Sequence, residues 1–412
     1  MIAQLFKPIA SLRLTLVLLA LSLILVFLGT MAQEPLGLYM AQARFFQSAF
    51  VDAASFGAAM RKTLQMLHIY LTPATAADVL AAPYIPVFPG GYLLGALLLI
   101  NLVAAHATRF KFTWKRAGIF LVHAGLIVLL LGQLCTDLVA NESSMRMTEG
   151  QTMNYSERDR QSELAVIEVG NAGQDKVVAF PDTLLSTGST FKRAEFPFSM
   201  KVLRWYRHSV LTNRTAVADA PQVTDGLGLQ YAAVSLPPVT SMNEKDIPSA
   251  VLELTGPEGR IGSFLVSLYL DRPQSLTYNG RSYEFSIRPR RFYKDFSLTL
   301  LDFRHDKYPG TETAKNFSSK VKLKNSRTGE DREVLIFMNN PLRYEGLTFY
   351  QASFDPRDTR VTILQVVHNP AWLTPYFACL IVGAGLALQF GIHLVGFVRK
   401  KAGSAMASPV GA

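Results

Sequence analysis

His123 lies inside the apolar run Ala117–Val139. That run is about long enough to cross a bilayer, which takes roughly 20 mostly apolar residues. An ionisable side chain inside a span is costly unless it has a partner, so it marks a functional position. A neutral imidazole is a good ligand for haem iron. The competing use of such a residue is a hydrogen bond between helices. His393 lies in another apolar run, six residues before Arg399, and His123 lies seven residues after Arg116. With a helix rise of about 1.5 Å per residue, both sit roughly 10 Å inside the basic residues that border their runs. Two imidazoles facing each other at that depth could hold one iron from both sides. His106, three residues before Arg109, is nearer the water. His106 and His393 lie near helix ends, where a polar side chain can also reach the interface. His68 falls between the first two apolar runs, as either a structural histidine near the interface or an outer haem-side group. His208, His305 and His368 are isolated in the sequence and read as surface or structural residues.

Little other chemistry is on offer. The two cysteines, Cys135 and Cys379, form neither a CxxC nor a CxxCH pattern. Dithiol exchange and c-type haem attachment by this chain are therefore not expected. Two buried, inert thiols are the expectation, with a Cys135–Cys379 disulfide as the alternative. No Ser/His/Asp set, paired-carboxylate spacing or metal cluster stands out.

Four apolar segments must position the histidines: about Leu14–Met31, Tyr92–Ala107 (starting as early as Val87), Ala117–Val139 and Leu373–Val398. The first is read as an uncleaved anchor rather than a signal peptide. It is long for a signal core, and Gly29–Gln33 makes a poor cleavage site. Basic residues set the orientation. Lys7 and Arg13, the loop with Arg109, Lys111, Lys115 and Arg116, and Arg399–Lys401 share one side if the N-terminus is cytoplasmic. The segment 34–89 and the stretch 141–370 then lie outside. Trp114, Trp372 and Tyr376 fall where interfacial aromatics belong.

The net charge of +10 is not a nucleic-acid signal. The stretch 141–370 holds 29 basic and 27 acidic residues, leaving 12 basic and 4 acidic elsewhere, mostly at the membrane edges. No nucleic-acid partner is expected; membrane lipid is.

Between Met145 and Val367, alternating and β-branched runs recur between turn signals. Tyr278-Asn279-Gly280-Arg281 is a tight-turn signal, because Asn-Gly tolerates the positive φ of a hairpin. Lys320–Lys324 and Glu333–Met338 flank a second hairpin at Arg327-Thr328-Gly329. The expected fold is a membrane protein with four transmembrane α-helices, three N-terminal and one C-terminal. It carries a large antiparallel β-rich, sandwich-like extracytoplasmic domain. The domains are then 1–140, 141–370 and the closing span 371–402, with a disordered tail over 403–412. Ala218–Asp246 reads as a long loop. Leu36–Phe50 should lie on the outer membrane surface or pack beneath the β domain. Gly118, Gly125 and Gly132 recur every seven residues, a smooth stripe that lets another helix approach. His123 lies about 200° round the helix from Gly125 and faces away from that stripe.

Several segments resemble the ResB (CcsB-type) proteins of the cytochrome c biogenesis pathway called System II. They are Leu28–Gln33, Pro89–Tyr92 with Leu99–Leu102, Val122-His123-Ala124-Gly125 with Leu131-Gly132, and Met147–Gln151. The most specific is the block Asn340–Pro356, which reads Asn-Pro-Leu-Arg-Tyr-Glu-Gly-Leu-Thr-Phe-Tyr-Gln-Ala-Ser-Phe-Asp-Pro. The order of three spans, β domain and one span fits as well. The resemblance implies a non-catalytic or co-catalytic subunit of a haem-lyase complex in the bacterial inner membrane. It implies haem b as a transient cargo carried outward, with His123 as an axial ligand to its iron. It implies a Trp-rich ResC/CcsA-type membrane partner, which supplies the second ligand. Apocytochrome c and a thioredoxin-like thiol reductant complete the set. With three tryptophans the chain resembles one half of that system. Two other functions stay open on the residues alone. A membrane b-type cytochrome in an electron-transfer chain would use the same paired histidines. A haem-free anchored scaffold with a β-rich binding domain would need none.

Overall fold

A computed structural model describes residues 8–109, 113–170, 175–240, 244–311 and 314–406. It divides into two compact units, Met1–Asn141 with Asn369–Ala412, and Glu142–His368.

The first unit holds four helices long and apolar enough to cross a membrane. Span one falls in Leu12–Leu36, span two in Gly91–Thr108, span three in Trp114–Val139 and span four in Thr374–Ala402. Span one outruns its expected end by a turn, because Pro35 falls too late to stop it and Gly37, at φ 77°, breaks it instead. The last helix continues from Thr374 to Met406, so the first four residues of the expected tail are helical. Residues 407–412 lie outside the described residues.

The glycine stripe on span three faces span four. A Cβ at Gly118 would meet the Gly385 carbonyl oxygen and Gln389 Cβ at 2.5 Å. One at Gly125 would meet Val382 Cγ2 at 2.6 Å and the Ala378 oxygen at 3.0 Å. Small residues let the backbones close, which is how helices attract in lipid, where no hydrophobic force drives them together. Polar ties finish the seam. Gln389 Oε1 accepts from Ile119 N at 3.3 Å, and its amide nitrogen donates to the Lys115 carbonyl at 3.2 Å. Thr136 and Asn369 bond at the other end.

Spans one and two are joined through Asn101, which is 2% exposed. Its amide donates to the Ile9 carbonyl at 2.5 Å, and its oxygen accepts from Thr15 Oγ1 at 2.6 Å. An amide buried among apolar helices needs such partners. The segment after span one packs on that span. Met40, Ala41 and Phe45 are buried with Leu28, Ala32 and Leu36 in one core, together with the helix Ala53–Met66. Asp52 caps that helix, accepting from Ser55 N at 3.0 Å, and pairs with Arg44 at 3.1 Å. At Gly90 and Gly91 any Cβ would collide with the Ser48 and Phe46 carbonyls, so the Pro89–Tyr92 motif is a close backbone crossing.

The second unit is built mainly of antiparallel β-strands. Two long strands, β4 (Thr152–Glu168) and β13 (Arg281–Lys307), run through two separate cores. In the first core they are flanked by β5 (Lys176–Pro181) and β12 (Gln274–Tyr278). The opposing sheet has the order β11-β10-β7-β6, from Gly259–Ser267, Ser249–Gly256, Ser199–Tyr206 and Thr190–Lys192. Leu164, Phe198, Leu252, Tyr283 and Phe285 fill this sandwich. In the second core the same strands join an eight-strand path, β15-β14-β13-β4-β3-β18-β17-β16, that curls nearly into a barrel. Its other strands are Asn141–Thr148 (β3), Ala314–Asn325 (β14), Glu330–Phe337 (β15), Leu342–Tyr344 (β16), Leu347–Asp355 (β17) and Asp358–His368 (β18). Met145, Leu298, Val321, Phe349 and Leu364 fill it. The expected sandwich is thus one half of the unit.

The two expected hairpins form. Asn279 and Gly280 adopt φ 51° and 72°, and Gly329 adopts φ 71°. Within the expected long loop, Tyr231–Ser235 makes a strand (β9) paired with Ser209–Asn213 (β8). Its five-residue pattern is too short to stand out between prolines.

The pairing of β4 with β13 breaks between Pro289 and Arg290 and again between Tyr293 and Leu298, where the strands pass from one core to the other. Pro289 has no N–H to give a ladder, so it suits a bulge. Lys294 sits in the second break, its Nζ donating to Ser156 Oγ at 2.7 Å and the Phe292 carbonyl at 3.0 Å. Burial lowers its pKa to about 8. The unfolded chain then binds more protons between pH 8 and its ordinary 10.5, so this lysine burdens the fold below pH 8 and is relieved as pH rises. The stability of the wild type relative to Lys294→Met is expected to rise across that window in denaturant titrations. A flat difference would show that Lys294 keeps an ordinary charge.

Candidate functional site

Span three begins at Ala117, and His123 lies about two turns in. Its Nδ1 is 2.8 Å from the Ile119 carbonyl oxygen, one turn back. A carbonyl can only accept, so Nδ1 carries the hydrogen. In the neutral ring the lone pair is therefore on Nε2, on the far side from the helix backbone. A backbone bond of this kind fixes tautomer and ring orientation for metal-binding histidines.

The ring beside His123 is His106 of span two. The ring centres are 5.5 Å apart with a 40° tilt, and Phe120 stands 4.8 Å from His106. Spans two and three meet again at their other ends, where Tyr92 OH donates to Asp137 Oδ2. His123 and the glycine stripe occupy opposite sides of span three, as the helical spacing requires.

His393 is placed differently. Its Nε2 is 2.9 Å from the Gln389 amide nitrogen, which also serves the tie to Lys115. That nitrogen donates, so the His393 lone pair is engaged by Gln389 of its own helix, one turn back. His68 is exposed at φ 60° in the turn that ends the helix Ala53–Met66, its N–H donating to Gln65 O at 3.0 Å. It stands apart from the histidine pair. In the β unit, His208 Nδ1 accepts from Ile247 N at 2.9 Å, and His305 stacks on Phe354 at 4.2 Å.

The pairing of His106 with His123 is the feature that residue-by-residue weighing underrates. A usable signal was present. Two spans joined by a short loop are antiparallel neighbours, so histidines on either side of that loop come to similar depth. Cys135 and Cys379 are both free, and both are exposed on helix surfaces rather than buried as expected. Among the described residues no group of three or more His, Cys, Asp or Glu could hold a metal ion. The site's chemistry is thus that of two imidazoles in apolar surroundings. That donor set fits haem iron, which brings four ring nitrogens and needs only axial ligands from protein.

The ResB-like family model matches residues 279–363, from the Asn279-Gly280 turn through β17 into β18, which includes the Asn340–Pro356 block. Protein NrfI of Wolinella succinogenes is 26% identical over 302 residues, covering 71% of this chain. The chain spans about 29% of that relative's length. Motifs, architecture and both comparisons agree in likening the chain to the ResB-like family.

Proposed function

We propose that the chain serves cytochrome c biogenesis as the haem-handling half of a System II complex. Haem is its cargo. His123 supplies one axial nitrogen within the membrane, and the β unit receives apocytochrome c on the extracytoplasmic side. A Trp-rich ResC/CcsA-type protein is the membrane partner, and a thioredoxin-like reductant keeps the apocytochrome thiols ready. The observation that carries this reading is the His123 tautomer, with Nδ1 bonded to Ile119 and Nε2 left as a donor inside an apolar span. The basic residues bordering the spans support a cytoplasmic N-terminus and a bacterial inner-membrane setting.

Cells lacking the chain are expected to lose haem-stained c-type cytochromes while keeping b-type ones. The wild-type gene should restore them, and a His123→Gly gene should not, at equal membrane levels of the chain. Reporter fusions after Gly170 and Gly403 should read outside and inside. Normal cytochrome c in the deletion strain, together with quinol-driven reduction of the chain's own haem, would favour a b-type electron carrier and refute the proposal. A Gly170 fusion reading inside would overturn the orientation.

A further inference from the structure

The 20 residues from Leu14 to Gln33 carry no charge, and Arg13 and Glu34 bracket them. Along span one those two lie about 31 Å apart at about 1.5 Å per residue. The hydrocarbon core of a bilayer is roughly 30 Å thick. Glu34 pairs with Lys62, so this ion pair marks the edge of the core. After Gly37 the chain turns back along span one. Phe46 packs on Gly29, where a Cβ would strike its ring. Gly29 is five residues before Glu34, about 7 Å inside that edge. The Phe46 carbonyl in turn lies against Gly91, the first residue of the second spanning helix. This crossing is therefore at membrane depth.

Beside the crossing lies a two-stranded antiparallel ribbon, β1 (Phe50–Asp52) and β2 (Pro86–Pro89). Gly90 N donates to the Ala49 carbonyl at 2.9 Å and ties it there. Its two faces differ, as alternation along strands allows. Val51 is buried, and Phe88 packs beside it in the core around span one. Phe50 and Val87 are 44% and 51% exposed, and Tyr84 and Ile85 just before β2 are 57% and 53% exposed. No Asp, Glu, Lys or Arg occurs from Phe45 to Val51 or from Val79 to Thr108. The neighbouring Asp52 is buried and paired with Arg44. Backbone groups that would seek water are also few. Pro86 and Pro89 have no N–H, and Tyr84 OH donates to the Phe50 carbonyl at 2.8 Å.

We propose that this ribbon is an interfacial anchor. Phe50, Ile85 and Val87 enter the boundary between headgroups and acyl chains at this end of spans one and two, and Tyr84 sits at headgroup level. Apolar faces of this kind bury about 5–10 Å into that boundary, and tyrosine is enriched there. The occupant of the exposed face is lipid, because its depth is fixed by Gly29 and Gly91 and it carries no charge. The segment Leu36–Phe50, expected at the surface, instead turns Met40, Ala41 and Phe45 inward onto span one. Only its last residue, Phe50, shares the interfacial role. The inference is independent of the haem reading.

The test places a nitroxide label on Ile85→Cys or Val87→Cys in the full-length chain, each in a Cys135→Ala/Cys379→Ala background. The chain is reconstituted in phosphatidylcholine nanodiscs wide enough for two copies. Relaxation by oxygen, which concentrates in lipid, is compared with relaxation by a water-soluble nickel chelate. Leu23→Cys, at a site 73% exposed within span one, gives the lipid reference. Ser326→Cys, in an exposed turn of the β unit, gives the water reference. Both ribbon labels are expected to show an oxygen-to-nickel ratio several-fold above that at Ser326 and approaching that at Leu23. A ratio matching Ser326 would put the ribbon in water and overturn the proposal. Poor access to both reagents would show that protein, such as a second copy, covers the face, and would overturn it as well.

Discussion

Glu163→Leu is expected to destabilise the β unit by about 3–5 kcal/mol, the usual cost of stranding one member of a buried ion pair. Glu163 and Arg288 are register partners on β4 and β13, with side chains only 7% and 11% exposed. Arg288 Nε donates to Glu163 Oε1 at 2.9 Å. Removing the carboxylate leaves a guanidinium that cannot shed its proton and has little access to water. The loss should appear as a large drop in the denaturation midpoint of the purified chain. Glu163→Leu combined with Arg288→Met should recover most of it, because replacing both partners removes the stranded charge. A single mutant within about 1 kcal/mol of wild type would place this pair with exposed ion pairs, which contribute little.

This pair also shows what sequence could and could not deliver. Four spans were legible because lipid permits few alternatives to long apolar helices. Gly118, Gly125 and Gly132 were legible as a contact stripe, since their spacing keeps them on one face, and span four fills it. Asn279-Gly280 announced its hairpin by conformational preference alone. The division of the β unit into two cores was not legible. β13 runs from Arg281 to Lys307 and changes buried neighbours halfway, so its pattern never repeats long enough to mark a boundary. The packing of Met40, Ala41 and Phe45 against span one was equally hidden, because helix-like spacing says which face is apolar and nothing of what covers it. For the candidate site, His123 was readable from the cost of an imidazole in an apolar span. Its neighbour was not, since His106 near a helix end has an ordinary explanation until span two is set beside span three. His393, at similar depth on paper, is instead bonded to Gln389 of its own helix.

The second large effect is expected at His123 itself. His123→Gly removes the imidazole that Ile119 orients, and glycine cannot substitute as a ligand. Haem affinity should fall by more than about tenfold, since even residues that merely orient a metal ligand cost 10–100-fold when removed. Glycine also opens a space beside the Nε2 position, into which free imidazole can enter. The most direct measurement is the haem content and visible spectrum of the chain purified together with its membrane partner, wild type against His123→Gly. The variant is expected to lose the co-purifying haem, and imidazole in the growth and purification buffers to restore it with a low-spin spectrum. A His123→Gly complex with wild-type haem content and an unchanged spectrum would contradict this, leaving the imidazole as a structural tie within span three.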